Sequence, residues 1–307
     1  MYFFDEEEHE KLTKFFLPRT REMTISDDLR GWSWNHPPLE PIYDLKMTVS
    51  EISSRYCPTN RDLYLNRVQG VKVPPNEAMI SGSIFHSYLC GFILNAKRLL
   101  YYYGLEGREQ ALNELESVSF DVPQRFKQLL TEDQINEISK KLVVLHRHEF
   151  LSFSYRLEKT LSRQPYIGLD ALVATVLPVV VEQKLDGSRL GLSQYLSCDA
   201  VYLSEPVLLD LKFGTKQDFH FLGLTGYGLV VESLFEYPVN IGCTVYVSFN
   251  KDSLRVEKEF RILSDELRQA FIEERDEKMR MIFEEIDPGW PDECYKGCPY
   301  SKECKRV

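Results

Sequence analysis

No stretch of the 307-residue chain approaches the roughly 18 apolar residues that a bilayer crossing needs. The opening Met1-Tyr-Phe-Phe-Asp-Glu-Glu-Glu8 is acidic and lacks the cleavable apolar core of a secretory leader. A cytoplasmic protein without membrane attachment is therefore expected. Positive charge is also short: 37 Lys and Arg against 47 Asp and Glu leave a formal net charge of −10. Proteins that coat nucleic acid indiscriminately are usually basic, so the balance argues against one. It leaves room for an enzyme with a local basic groove beside an acidic metal site. No internal repeat and no low-complexity tract occurs, so nothing points to a repeat array or a biased linker.

Cysteine is the exception to this scarcity. There are seven, an odd and high number for a reducing compartment, where such residues are more often ligands, catalysts or small buried hydrophobes than disulfides. Otherwise the composition is ordinary for a globular protein, with 43% hydrophobic and 27% charged residues, and the length suits one large domain or two modest ones.

The first half reads as mostly helical. Residues 4–17 form a short acidic amphipathic helix, and the Trp- and Pro-rich stretch 31–41 an extended arm lying on the main body. Residues 50–67 have helical spacing and a Ser50 cap, interrupted by Pro58. Long helices are expected over 77–103, where Ile80, Ile84, Leu89, Phe92 and Ile93 recur at helical intervals, and over 132–161. The character then changes. Residues 173–185, 191–203 and 206–213 read as strands, 218–235 as a helix, 239–249 and 253–263 as strands, and 265–285 as a charged helix. That order implies an α/β core, a mixed sheet flanked by helices. Four regions follow: an arm over 1–49, a cysteine module from 50–75 plus 286–307, a helical region over 76–171, and the α/β core over 172–285.

The tail carries Cys294, Cys298 and Cys304 in a C-x3-C-x5-C arrangement, in a segment too polar to need small core hydrophobes. Gly297 allows a tight turn between ligands, and a Pro after a ligand Cys is familiar from ferredoxin-type sites. Three thiolates need a fourth partner, and Cys57, in Arg-Tyr-Cys-Pro, is the natural one. Cys90, Cys198 and Cys243 lie in apolar stretches and read as core residues. A structural zinc site is the rival. Zinc ribbons usually pair two closely spaced knuckles, however, and Cys57 has no such neighbour, so iron–sulfur is favoured. Either centre would join the two ends of the chain, and its binding energy would become folding energy.

The strand 206–213 ends in Asp210-Leu-Lys212, two side chains on one face of a sheet. A carboxylate can hold a hard divalent cation while the ammonium sits beside a phosphate or an attacking water. Asp199 lies in the preceding strand, and in a hairpin it can stand beside Asp210. Two adjacent carboxylates repel unless a cation lies between them. His86, on the long helix, is a candidate to complete the coordination, with Glu182 a weaker one. Each signal alone is weak; the order His, Glu, Asp, Asp-x-Lys and helix, bracketed by four cysteines, lifts it.

This constellation resembles the RecB-type branch of the PD-(D/E)xK nucleases, with their restriction-endonuclease-like sheet. The cysteine bracket resembles the iron–sulfur members of that branch, the AddB subunit and the CRISPR-associated Cas-four exonucleases. Ser50-Glu-Ile-Ser-Ser-Arg-Tyr-Cys57-Pro with Leu63-Tyr-Leu65 matches the Cas-four group best, and Leu29-Arg-Gly-Trp-Ser-Trp34 and Pro238-Val-Asn-Ile-Gly-Cys243 resemble its archaeal subtype I-A relatives. The resemblance implies Mg2+ or Mn2+ bound by His86, Asp199 and Asp210, a catalytic Lys212, and a [4Fe–4S] cluster on Cys57, Cys294, Cys298 and Cys304. It also implies DNA, single-stranded or frayed, trimmed from an end during acquisition of CRISPR spacers, with other acquisition proteins as partners. The family's Gln-x-x-x-Tyr keeps its Tyr227, expected to contact substrate as Glu182 does, but Gly223 stands at the Gln position and His220 is nearby. Arg55, Arg61, Arg67, Lys72, Lys296, Lys302, Lys305 and Arg306 would supply a local basic surface. The alternatives are a non-catalytic DNA-binding or scaffolding subunit, and a zinc-stapled protein with an unrelated small-molecule site.

Overall fold

A computed structural model describes residues 1–119, 121–202, 205–251, 253–295 and 297–304. Its centre is a five-stranded sheet in the order β1 (Val179–Leu185), β2 (Leu196–Tyr202), β3 (Val207–Lys212), β4 (Ile241–Asn250) and β5 (Ser253–Ile262). All neighbours are antiparallel except β3 and β4. A parallel pair requires a crossover, and the helix His220–Phe235 provides it. The expected mixed α/β core is the observed one.

Alternation along β3 divides its side chains between two cores, as the period of two dictates. Val207, Leu209 and Leu211 pack among the N-terminal helices, while Leu208 packs under the crossover helix and the helix Asp265–Phe283. The N-terminal helices are led by Glu77–Tyr103, which starts where Asn76 Oδ1 accepts from Met79 N at 2.9 Å and stops at Gly104, whose φ of +69° suits glycine. Among the described residues this is the one helix long and apolar enough by composition to cross a bilayer. A search for unbroken apolar runs passes over it because Ser, Gly and His interrupt the pattern. Its Ile84, Phe85, Leu89, Ile93 and Leu100 are buried in the core.

The structure departs from the expected local elements in four places. Residues 173–176, expected as the start of a strand, belong instead to the helix Leu169–Val176, which buries Leu172, Val173 and Val176. A short apolar run does not by itself distinguish a strand from a buried helix. The N-terminal helix runs further than expected: Glu6–Lys11, a π-helical turn Leu12–Phe16, then Leu17–Glu22. The helix in the 50–67 segment starts earlier and is capped by Thr48 rather than Ser50, through a capping box with Glu51, and gives way to a second helix Arg61–Arg67.

The stretch 31–41, expected as an extended arm on the main body, starts instead with a 3-10 turn, Gly31–Ser33, preceded by another at Asp27–Leu29, and docks on the crossover helix. A Cβ on Gly31 would stand 2.0 Å from the Leu229 carbonyl oxygen, so only glycine permits the approach. There Glu232, fully buried, accepts from Gly31 N at 2.9 Å, Arg30 Nη1 at 2.7 Å, Val239 N at 3.0 Å, and Arg268 Nη1 and Nη2 at 2.7 and 2.9 Å. Burial raises the cost of its charge, but these donors outweigh it and hold the carboxyl below the usual range.

Candidate active site

The β2–β3 register pairs Ala200 with Leu209, so one step further toward the open end Asp199 faces Asp210. Asp199 is fixed there, Oδ2 accepting from Leu211 N at 2.8 Å. On β3, Lys212 Nζ donates to Asp210 Oδ1 at 3.0 Å and lies 3.0 Å from Oδ2. Asp210 Oδ2 nevertheless has no hydrogen bond of proper geometry and is buried. Burial pushes the Asp210 carboxyl up, Lys212 pulls it down, Asp199 pushes it up again, and it ends above the ordinary value. Lys212 is drawn down by burial, but Asp210 and Asp199 more than restore it, so the ammonium is charged at neutral pH. A buried carboxylate oxygen with no well-formed hydrogen bond, beside a second carboxylate, suits a site for a hard cation.

His86 reaches this pair from its helix. Its Nδ1 is 3.7 Å from Asp199 Oδ2 and 3.5 Å from the Tyr2 hydroxyl. Its Nε2 is 3.7 Å from Glu182 Oε1 and 3.5 Å from Cys90 Sγ. Glu182 belongs to β1 but adopts φ +49°, an uncommon conformation for a residue with a side chain. The register is paired on both sides of it, Val181 with Ala200 and Gln183 with Cys198. His86 thus stands between Glu182 and Asp199, and Asp199 faces Asp210, although His86, Asp199 and Asp210 are not all drawn within 4.8 Å of each other.

Two neighbours of His86 were not anticipated. Cys90 is buried, as expected of a core residue, but its sulfur faces the imidazole; burial, then Glu182 and Asp199, push the thiol up to about 12. The i, i+4 spacing from His86 was a legible signal. Tyr2 is fully buried, its phenol driven well up by burial and then by Asp199, Cys90 and Asp210. Nothing in its local sequence announced it.

The crossover helix lines the other side. Tyr227 is partly buried there, its phenol raised by burial and then by Cys198, Asp199 and Asp210. Gly223, one turn earlier, faces Ser53, whose Oγ would be 3.4 Å from a Cβ. His220 is buried, its Nδ1 3.0 Å from the Tyr246 hydroxyl and its Nε2 3.4 Å from that of Tyr56. Burial and then Lys212 lower it to about 4, so it is neutral at pH 7. Tyr246 is the β4 register partner of Lys212.

Tyr56 connects this site to the cysteines. It directly precedes Cys57, and its ring meets Phe219 edge-on at 4.9 Å and Tyr295, which follows Cys294, at 5.0 Å. The segments around Cys57 and the C-terminal cysteines are also tied directly. Arg61 donates to Asp287 at 2.9 and 2.8 Å, to the Cys304 carbonyl at 2.9 Å and to Cys304 Sγ at 3.4 Å. Thr59 Oγ1 donates to the Gly289 carbonyl at 3.0 Å, and Asn66 Nδ2 to the Tyr300 hydroxyl at 2.6 Å. Burial raises the Cys298 thiol, and Asp62, Cys57 and Cys294 nearby push it the same way. Cys57, Cys298 and Cys304 are half-buried and Cys294 is exposed.

The family described as CRISPR-associated exonuclease Csa1 matches residues 2–307. Two relatives carry that same description: one from Saccharolobus solfataricus, 29% identical over 285 residues (91% of this chain and 92% of the relative), and one from Thermoproteus tenax, 26% identical over 281 residues (92% of each). The chain belongs to the Csa1 family.

Of the basic surface expected around the cysteines of this Csa1-family chain, the three arginines are paired with carboxylates. Arg55 pairs with Glu274 at 2.6 Å, Arg67 with Glu51 at 2.9 Å, and Arg61 is buried on Asp287. Lys72 donates to Asn66 at 3.1 Å, and Lys302 is exposed. Lys296, Lys305 and Arg306 lie outside the described residues.

Proposed function

We propose that this Csa1-family protein is a metal-dependent deoxyribonuclease that trims single-stranded or frayed DNA ends for CRISPR spacer acquisition, acting in the cytoplasm with other acquisition proteins. The observation that carries the reading is the buried Oδ2 of Asp210, ion-paired with the charged Lys212 but without a well-formed hydrogen bond, beside Asp199. His86, Asp199 and Asp210 would hold the ion, and their oxygen-rich set suits Mn2+ or Mg2+. Such an ion supplies the charge that polarises a phosphodiester toward attack by water.

The chain's own groups do the rest. Lys212 offers a fixed positive charge to the phosphate oxygens as charge builds on them during hydrolysis. Leu211 N holds Asp199 in one orientation, so little is lost in ordering it when substrate arrives. Neutral His220, held between Tyr56 and Tyr246, adds no competing cation beside Lys212. Tyr227 and Glu182 line the approach and would contact the strand.

Cys57, Cys294, Cys298 and Cys304 would hold a [4Fe–4S] cluster. Supporting this are the Pro after Cys57 and after Cys298, and the Arg61 donor at Cys304 Sγ, the kind of hydrogen bond that stabilises a cluster thiolate. Its role would be to fasten the chain ends beside the active site.

One observation favours a weakly catalytic DNA-binding subunit instead: glycine at position 223, where the crossover helix presents no amide side chain. Anaerobically purified protein with end-labelled single-stranded DNA separates the two. Cleavage is expected with Mn2+ and none with EDTA, and Asp210→Ala should lose cleavage while keeping its brown colour and absorbance near roughly 400 nm. Binding of DNA without any cleavage in Mn2+ would leave the scaffolding reading standing, and full activity in Asp210→Ala would remove the active-site assignment.

A further inference from the structure

His86 presents two nitrogens, and the catalytic set proposed above uses only the side facing Asp199. The other nitrogen, Nε2, faces Cys90 Sγ at 3.5 Å and Glu182 Oε1 at 3.7 Å. One donor atom from each of these three residues lies within 4.8 Å of the other two, the one such grouping of histidine, cysteine and carboxylate among the described residues. We propose that His86, Cys90 and Glu182 form a second cation subsite that takes Zn2+ or a comparably thiophilic divalent ion, and that this ion competes with the catalytic one for His86.

The chemistry of the donors selects the ion. A thiolate favours zinc and its heavier relatives over Mg2+ or Mn2+, and imidazole and carboxylate complete a ligand set common at zinc. The spacing agrees. Zn–S and Zn–N bonds of about 2.3 and 2.0–2.1 Å, at tetrahedral angles, place neighbouring ligand atoms about 3.4–3.6 Å apart. The two separations from His86 Nε2, 3.5 and 3.7 Å, lie close to these values, and the third is within 4.8 Å.

The scaffold fits as well. His86 and Cys90 stand one turn apart on one face of a helix of 27 residues, so their relation is fixed. Glu182 comes from a strand, and its φ of +49° is an isolated departure in an otherwise paired ladder. Three protein donors leave a fourth position open, and the exposed Glu182 places it within reach of solvent. Cys90, buried behind the imidazole, is shielded from bulk oxidants.

The competition follows from the imidazole itself. A neutral ring has one lone-pair nitrogen and one N–H. An ion on Nε2 leaves the proton on Nδ1, which then cannot serve an ion at Asp199 and Asp210. Zinc would thereby switch off cleavage. That consequence rests on the nuclease reading, whereas binding at the trio does not.

The test uses the full chain, purified anaerobically with its other cysteines intact. Zn2+ is added in small excess, loose metal is removed by gel filtration, and bound zinc is counted. Cd2+ is then titrated and followed by thiolate-to-cadmium absorbance in the near ultraviolet. Wild type and Asp210→Ala should each retain one more equivalent of Zn2+ than Cys90→Ala or Glu182→Gln, and Cys90→Ala should lose one increment of the cadmium signal. Glu182 is exposed, so its variant reports even where Cys90→Ala folds poorly. In an active preparation, one equivalent of Zn2+ should lower Mn2+-supported cleavage at least tenfold, and Glu182→Gln should be less sensitive. Equal zinc in wild type, Cys90→Ala and Glu182→Gln would overturn the subsite. So would zinc lost from Asp210→Ala yet kept by Cys90→Ala, which would put the ion between the aspartates. Because the zinc count does not depend on cleavage, a protein that is inactive with Mn2+ before any zinc is added, yet takes up the extra equivalent, would refute the nuclease reading and leave the subsite standing.

Discussion

Lys212 illustrates how a single side chain can be set for its task by neighbours that themselves need it. Burial works against the charge of both Lys212 and Asp210; held 3.0 Å apart, each offsets part of that cost for the other, Lys212 pulling the Asp210 carboxyl down although it stays above its ordinary value, and Asp210 holding the ammonium up. Lys212→Met should therefore slow Mn2+-dependent cleavage by at least about 100-fold, the scale of losing one fixed charge from a transition-state site. It should change the far-ultraviolet circular dichroism little. A variant within threefold of wild type would exclude that role. Asp210 and Lys212 were legible in the sequence because a strand's period of two puts them on one face. Asp199 was legible through the hairpin that follows from its spacing. Tyr2 was not, because only the fold brings residue 2 to residue 86, and Cys90 was read by its apolar surroundings when its distance along the helix from His86 held the signal.

At the scale of elements, the crossover helix is tied to both of its neighbours through Glu232. Removing its charge strands Arg30 and Arg268 in a buried site, at a cost of about 3–5 kcal/mol, so Glu232→Gln should lower the denaturation midpoint markedly. The pH dependence has a definite sign. The folded carboxyl titrates below the unfolded one, which has an ordinary value near 4.5. Its stabilisation is thus complete above that value and disappears as pH falls through the depressed one. Denaturant titrations between pH 7 and pH 3 should show wild type losing the advantage that Glu232→Gln never had, the two curves converging in acid; parallel curves would count against it. The strands and long helices could be read from periodicity. The turns around Gly31 could not, since their conformation answers to the Leu229 carbonyl and the Glu232 carboxylate, partners about 200 residues away.

For the molecule as a whole, the question is how the two ends of the chain act on a site in its middle. Protein contacts already join them at Arg61 with Asp287, Thr59 with Gly289 and Asn66 with Tyr300, so the proposed cluster would reinforce an existing clasp. The clasp touches the active site through two residues that each adjoin a cysteine: Tyr56 and Tyr295 meet at 5.0 Å, and Tyr56 reaches His220, beside the strands that carry Lys212 and Tyr246. Losing the cluster should then loosen a path from the cysteines to Lys212 and leave the helical half undisturbed. Cys57→Ser, or iron removal by a chelator under reducing conditions, is expected to speed amide exchange over residues 54–60, 290–295 and 297–304, and more weakly at the start of His220–Phe235. The helix Glu132–Arg163, which holds the far side of the core, should exchange as before. Mn2+-dependent cleavage should fall at least tenfold in the same sample. Unchanged exchange around His220 together with lost cleavage would instead mean that the cluster acts on DNA directly and not through the tyrosines.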